Sequence, residues 1–115
     1  MSRPKKIVPK ESEVQATILQ WLLLKKIFCW RNNTTGIYDP YKKTFRFNPY
    51  VLKGIADILG ILPDGKFLAI EVKRPGGKLS EWQTAFLQAI QQYGGIAFMA
   101  EDVKDVEERL KTYVQ

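Results

Sequence analysis

The sequence predicts an α/β fold, a central mixed β-sheet flanked by helices with elements in the order α-β-β-β-α-β-α. Three observations carry this. An N-terminal segment repeats apolar residues at three- and four-residue spacing, and two β-prone runs are joined by a Pro-Asp-Gly turn. A capped amphipathic segment then leads to a short apolar run and a last charged helical segment. With 115 residues, 45% of them apolar, residues 1–115 are expected to close one core and form one domain.

Residues 1–10 carry Arg3, Lys5, Lys6 and Lys10 with two prolines and read as a basic, flexible arm. From Glu11 to Lys26 the positions Val14, Ile18, Leu19, Leu22 and Leu23 give a helix with one buried stripe. Ile27 to Arg31 is a β-prone run, read as buried around Cys29, that ends in the Asn32-Asn33-Thr34-Thr35-Gly36 turn cluster. A polar, Tyr-rich segment follows, and Thr44-Phe45-Arg46-Phe47 alternates like a short edge strand.

Ile55 to Leu62 and Lys66 to Lys73 flank Pro63-Asp64-Gly65, with Pro at the second turn position and Gly where a positive φ is needed. If Leu62 pairs with Lys66, the same register sets Asp57 directly opposite Glu71, with β-carbons about 5 Å apart. Alternation puts Lys73 on the face of Glu71 and sends Ile70 and Val72 the other way, together with Ala56 and Ile58. Ser80-Glu81-Trp82-Gln83 is a capping-box start. Trp82, Phe86, Leu87 and Ile90 continue it as an amphipathic helix to Tyr93, ended by Gly94-Gly95. Ile96 to Ala100 reads as a buried strand, and Val103 to Tyr113 as a last helix with Val106 and Leu110 inward.

Composition removes several chemistries. The chain has no His and one Cys, so His-based triads, His-liganded zinc and Cys-only metal sites are excluded, as is an internal disulfide. Any catalysis has to use carboxylates, lysine or a hard metal. The net charge of +6, from 18 Lys and Arg against 12 Asp and Glu, suits a polyanionic partner. No apolar h-region follows the basic start, and the run from Trp21 to Leu24 is too short to span a bilayer. Neither secretion nor a membrane partner is expected, and a cytoplasmic location is.

Two opposed carboxylates on an apolar hairpin repel unless a cation lies between them. Oxygen ligands in a His-free chain select a hard ion, so Mg²⁺ is the first candidate, with Mn²⁺ as a substitute and a backbone carbonyl such as that of Val72 as a further ligand. Lys73 is placed to orient or deprotonate an attacking water, or to stabilise an oxyanion on phosphorus. Together these describe metal-assisted phosphodiester hydrolysis.

Lys53-Gly54-Ile55-Ala56-Asp57, a hairpin, Ile70-Glu71-Val72-Lys73, Gly76-Gly77-Lys78-Leu79-Ser80 and Gln83 resemble the virus-type replication-repair nuclease (VRR-NUC) family of the PD-(D/E)XK superfamily. Ala56 stands where the superfamily name implies Pro. The resemblance implies a restriction-endonuclease-like core, Asp57 and Glu71 as metal ligands, Lys73 as the catalytic lysine and Gln83 as a catalytic-site residue. It also implies a completing glutamate on the first helix. The spacing to Val14 favours Glu11, and Glu13 stays open. Stand-alone members of this size look like phage-encoded, structure-specific DNA endonucleases, some of them homodimers acting on branched DNA such as four-way (Holliday) junctions or flaps, in DNA repair.

Each assignment has a plainer competitor. Glu71 and Lys73 can be an edge-strand ion pair, Gln83 the capping partner of Ser80, and Glu11 or Glu13 a helix-dipole carboxylate. Arg31, Asn32, Lys53 and Lys78 are the candidate DNA contacts. Asn33, Tyr38, Tyr41, Lys42, Lys43 and Arg46 add a mixed cationic and aromatic loop. A non-catalytic nucleic-acid-binding module on the same fold is the alternative. A small-molecule phosphoesterase is disfavoured, since no Gly-rich phosphate loop precedes a helix.

Overall fold

The computed structural model describes residues 7–32, 37–39, 41, 44–46 and 52–114. In chain order these hold α1 (Glu11–Leu24), β1 (Phe28–Arg31), β2 (Ile37–Asp39), β3 (Thr44–Arg46), β4 (Ile58–Ile61), β5 (Phe67–Val72), α2 (Glu81–Gln92), β6 (Ile96–Ala100) and α3 (Val103–Leu110). The central sheet has the order β1-β4-β5-β6. Its first two pairings are antiparallel and β5 with β6 is parallel, which is the mixed α/β sheet the sequence predicts. Residues 1–6 of the basic arm lie outside the described residues, as do Asn33, Lys42 and Lys43.

The hairpin register is the predicted one. Ile58 pairs with Ile70 and Ile61 with Phe67. Gly65, at φ +89°, closes the turn by donating to the Leu62 carbonyl at 2.8 Å, and the Leu62 N–H bonds the Lys66 carbonyl at 2.9 Å. A residue with a β-carbon is strained at that φ, so glycine is what the turn demands.

The two faces of the sheet carry separate clusters. Val14, Ile18 and Leu22 of α1 and Val106 and Leu110 of α3 pack on Ile58, Ile70 and Val72. Leu87 of α2 packs on Ala69 and Ala97 from the other side. Burying each large aliphatic contributes about 1.5–3 kcal/mol, so the sheet is fixed from both faces and its carboxyl-bearing ends are held with it.

Several boundaries and faces differ from the sequence reading. Ala56 packs with Ala69, Leu87 and Ala97, on the opposite face from Ile58, because β4 begins only at Ile58 and strand alternation does not extend back past Asp57. Helix α1 ends at Leu24, two residues short of Lys26, whose φ of +60° is incompatible with the helix. Similarly, α2 stops at Gln92 and α3 at Leu110. Of the run around Cys29 only Ile27 is buried: β1 is an edge strand, Phe28 and Trp30 are exposed, and their rings meet edge to face at 5.7 Å. Cys29 itself is half-buried, and that burial raises its thiol pKa. Thr44–Arg46 is not an edge of the central sheet. It pairs antiparallel with Ile37–Asp39 in a separate two-stranded sheet, whose first strand the polar composition concealed.

Candidate metal centre

Helix α1 begins at Glu11, with Lys10 at the N-cap and no side-chain cap. Ser12 is therefore inside the helix rather than capping it, and Glu11 occupies the first helical position. There a carboxylate is favoured by the helix dipole. Across the sheet, Asp57 sits one residue before β4 and Glu71 is the penultimate residue of β5. One carboxylate oxygen from each of Glu11, Asp57 and Glu71 lies within 4.8 Å of the other two. Glu13, on the same first turn, instead lines an open cavity of about 550 Å³ with Pro9, Val14, Thr17, Pro75 and Val103.

Backbone and side-chain hydrogen bonds fix this cluster. The Val72 N–H donates to Asp57 Oδ2 at 2.8 Å, so Val72 enters the site through its amide while its side chain fills the core. The Asp57 carbonyl accepts from the Asn32 N–H at 2.7 Å, which ties the end of β1 to the same strand entry. Gln83 Nε2 donates to Glu71 Oε1 at 2.9 Å. The same side chain accepts from the Ser80 N–H at 2.8 Å through its Oε1, and the Gln83 N–H donates back to Ser80 Oγ at 3.1 Å. Gln83 is thus both the capping-box partner of Ser80 and a hydrogen-bond neighbour of the buried carboxylate.

Glu71 is 2% exposed. Its pKa is pushed up to about 8, first by burial and then by the Asp57 carboxylate, with Lys73 opposing and Glu11 adding to the rise. Lys73 Nζ lies 3.9 Å from Glu71 Oε1, and both side chains are largely out of solvent. Among the described residues, Glu71 Oε2 is the buried side-chain oxygen with no hydrogen-bond partner. A buried oxygen without a partner costs about 1–3 kcal/mol, and a cation beside it removes that cost. Three carboxylate oxygens and no nitrogen or sulfur donor make a site suited to a hard divalent ion.

The four candidate DNA contacts fall on a strand end and on loops. Arg31 closes β1 opposite Ile58, and Asn32 follows it. The Lys53 ammonium lies 5.0 Å from the centroid of the Trp82 ring. Lys78 is exposed two residues before Ser80. Two features of this region were not read from the sequence. Trp82 is exposed rather than part of the inward face of α2. Gly54, at φ +75°, brings its backbone against α2, where a β-carbon would come within 2.3 Å of the Trp82 carbonyl carbon and 2.6 Å of the Gln83 nitrogen. Glycine in the motif ahead of Asp57 was the available signal for that contact.

Comparison with known proteins follows the same line. A family model described as "VRR-NUC domain" matches residues 9–104. Among solved structures, the chain is similar to a protein described as "VRR_NUC domain protein", at 18% identity and a TM-score of 0.68. That alignment covers 93% of this chain and 89% of the other. At that identity the likeness speaks for the fold alone. No curated protein matches the chain.

Proposed function

The chain belongs to the VRR-NUC domain family, and on that premise we propose that it is a metal-dependent, structure-specific DNA endonuclease that hydrolyses phosphodiester bonds. The observation that carries this reading is the meeting of Glu11 from α1, Asp57 from the entry to β4 and Glu71 from β5, beside Lys73, in a chain of a nuclease-type family.

Glu11, Asp57 and Glu71 would hold one divalent cation, Mg²⁺ with Mn²⁺ as substitute, and the Val72 carbonyl would complete the protein ligands. When bound, the cation supplies Lewis-acid neutralisation of the phosphate and lowers the pKa of water beside it. The remaining work belongs to the side chains. Lys73 Nζ, beside Glu71 Oε1, orients or deprotonates the attacking water and stabilises negative charge on the phosphoryl oxygens. As that water adds to phosphorus, the bond to the leaving oxygen breaks and that oxygen takes up a proton. Gln83 holds Glu71 Oε1 in place through its amide, and the Val72 N–H does the same for Asp57 Oδ2. Supporting hydrogen bonds of this kind orient ligands in metal sites generally.

Arg31, Asn32, Lys53 and Lys78 are assigned to phosphate contacts, which position DNA without reading its sequence. Branched DNA is the proposed substrate class, and a homodimer with one site per subunit is the proposed way of cutting two strands symmetrically. The retained Asp57, Glu71 and Lys73 set argues against a pure binding module, which has no physical need of it.

The test is incubation with linear, flapped and four-way-junction DNA in Mg²⁺, Mn²⁺ or EDTA, beside Glu71→Ala and Lys73→Ala. Metal-dependent cleavage lost in both variants supports the reading. Binding without cleavage of any substrate overturns it in favour of the non-catalytic module.

A further inference from the structure

We propose that the exposed Trp82 indole is a stacking platform for an unpaired nucleobase of the substrate, with Lys53, over one side of the ring, to meet the adjoining phosphate. The proposal deepens the nuclease reading and rests on it.

Four observations point the same way. Trp82 is 59% exposed, although Phe86, Leu87 and Ile90 of the same helix pack inward against the sheet. The Lys53 ammonium sits over the ring at 5.0 Å, so the indole carries a cation next to a large apolar surface left to solvent. A base stacked on an aromatic ring, with its phosphate near a cation, uses both groups at once. The third observation is position: Trp82 directly precedes Gln83, whose amide bonds Glu71, and Lys53 lies four residues before Asp57. The fourth is anchoring. The Gly54 backbone is seated against the Trp82 carbonyl and the Gln83 nitrogen, so the backbone that carries the indole is packed on the loop that leads to Asp57. An aromatic side chain, with two rotatable bonds, presents contact area with little ordering cost.

Such a platform takes a base that is not paired, because a base within a duplex has its faces covered by its neighbours. Its chemistry therefore favours DNA with single-stranded or splayed segments near the cleaved bond, whatever the base sequence, since every base has a π-face.

Equilibrium binding in EDTA, where nothing is cleaved, tests this with two fluorescein-labelled strands of equal length and charge, oligothymidine and a fully abasic analogue. The wild-type protein is expected to bind the base-bearing strand at least fivefold tighter. Trp82→Ala brings the two affinities to within twofold by weakening only the base-bearing strand. Trp82→Phe keeps most of the preference, and so does Trp30→Ala, which removes the other exposed indole. Thermal melting of each variant confirms that it is folded. No preference in the wild type, or a preference that survives Trp82→Ala, overturns the platform while leaving the nuclease reading intact. A wild-type protein that binds neither strand and cleaves no DNA with Mg²⁺ or Mn²⁺ overturns both.

Discussion

Gln83 Nε2 donates to Glu71 Oε1 at 2.9 Å while Gln83 Oε1 accepts from the Ser80 N–H at 2.8 Å, so one amide couples the start of α2 to the buried carboxylate. Substitutions separate the two duties. Gln83→Ala removes both, and is expected to cost about 1 kcal/mol of stability through the lost cap and roughly 10- to 100-fold in cleavage rate through the freed Glu71. Gln83→Glu keeps a residue able to cap but sets a further carboxylate against Glu71, beside those of Asp57 and Glu11. It should melt close to wild type once Mg²⁺ is added and still cleave poorly. Melting curves and single-turnover rates on the same samples check the pair.

The two glutamates in the first turn of α1 are expected to behave differently. Glu11 is within 4.8 Å of its carboxylate neighbours, whereas Glu13 faces the cavity beside Pro75 and Val103. Glu11→Gln should weaken Mn²⁺ binding by about tenfold or more in titration calorimetry, the scale of losing one charged contact of about 1.5–3 kcal/mol. Glu13→Gln should leave it within about twofold, as a surface substitution does.

The raised pKa of Glu71 gives a pH dependence with a definite sign. Its folded value of about 8 lies above the ordinary 4.5, so between those values the folded chain holds more protons than the unfolded one and stability falls as pH rises. The contribution is fully present below about pH 4.5 and is lost as pH passes about 8. In EDTA the melting temperature should therefore decline from pH 5 to pH 8, and Glu71→Gln should flatten that decline. Adding Mg²⁺ should raise the wild-type melting temperature most at the alkaline end, because the ion favours the charged carboxylate. Melting curves across that range, with and without Mg²⁺, measure all three.

Gly54 lies where α2 leaves no room for a side chain. At φ +75°, with the Trp82 carbonyl carbon 2.3 Å from any added β-carbon, Gly54→Ala should destabilise by more than about 1 kcal/mol. It should also lower cleavage at temperatures where the variant is fully folded, because displacing the start of α2 moves Gln83 off Glu71. Chemical denaturation alongside cleavage at low temperature distinguishes these effects.

How much of this was legible in the sequence depended on how local each signal was. The Pro63-Asp64-Gly65 turn fixes the register of its own hairpin, so the pairing of Ile58 with Ile70 followed from counting, and Asp57, one residue before the strand, still brings its carboxylate near that of Glu71. Ser80 and Gln83 are a three-residue capping signal, and α2 begins where they say. The choice between Glu11 and Glu13 was open because it depends on where α1 starts, and its N-cap residue, Lys10, makes no side-chain cap that would have marked the start. Ala56 was placed on the wrong face because alternation presumes a strand, and the chain is not yet one at that residue. Trp82 fits the apolar spacing of α2 as well as Phe86 does. Its exposure is a tertiary fact that helical spacing does not carry. β2 was missed for a related reason: its pairing with β3 is carried by backbone hydrogen bonds, which a polar sequence does not announce.

The central claim is that the three carboxylates act as one metal-dependent catalytic centre with Lys73. Its most direct measurement is the single-turnover cleavage rate on a four-way junction, compared between wild type and Glu71→Ala in Mg²⁺ and again in EDTA. The account predicts cleavage by the wild type in Mg²⁺ and none in EDTA, with a loss of at least about 1,000-fold in Glu71→Ala, comparable to removing one preorganised electrostatic group from an active site. Cleavage that persists in EDTA, or that survives Glu71→Ala unchanged in Mg²⁺, would contradict it.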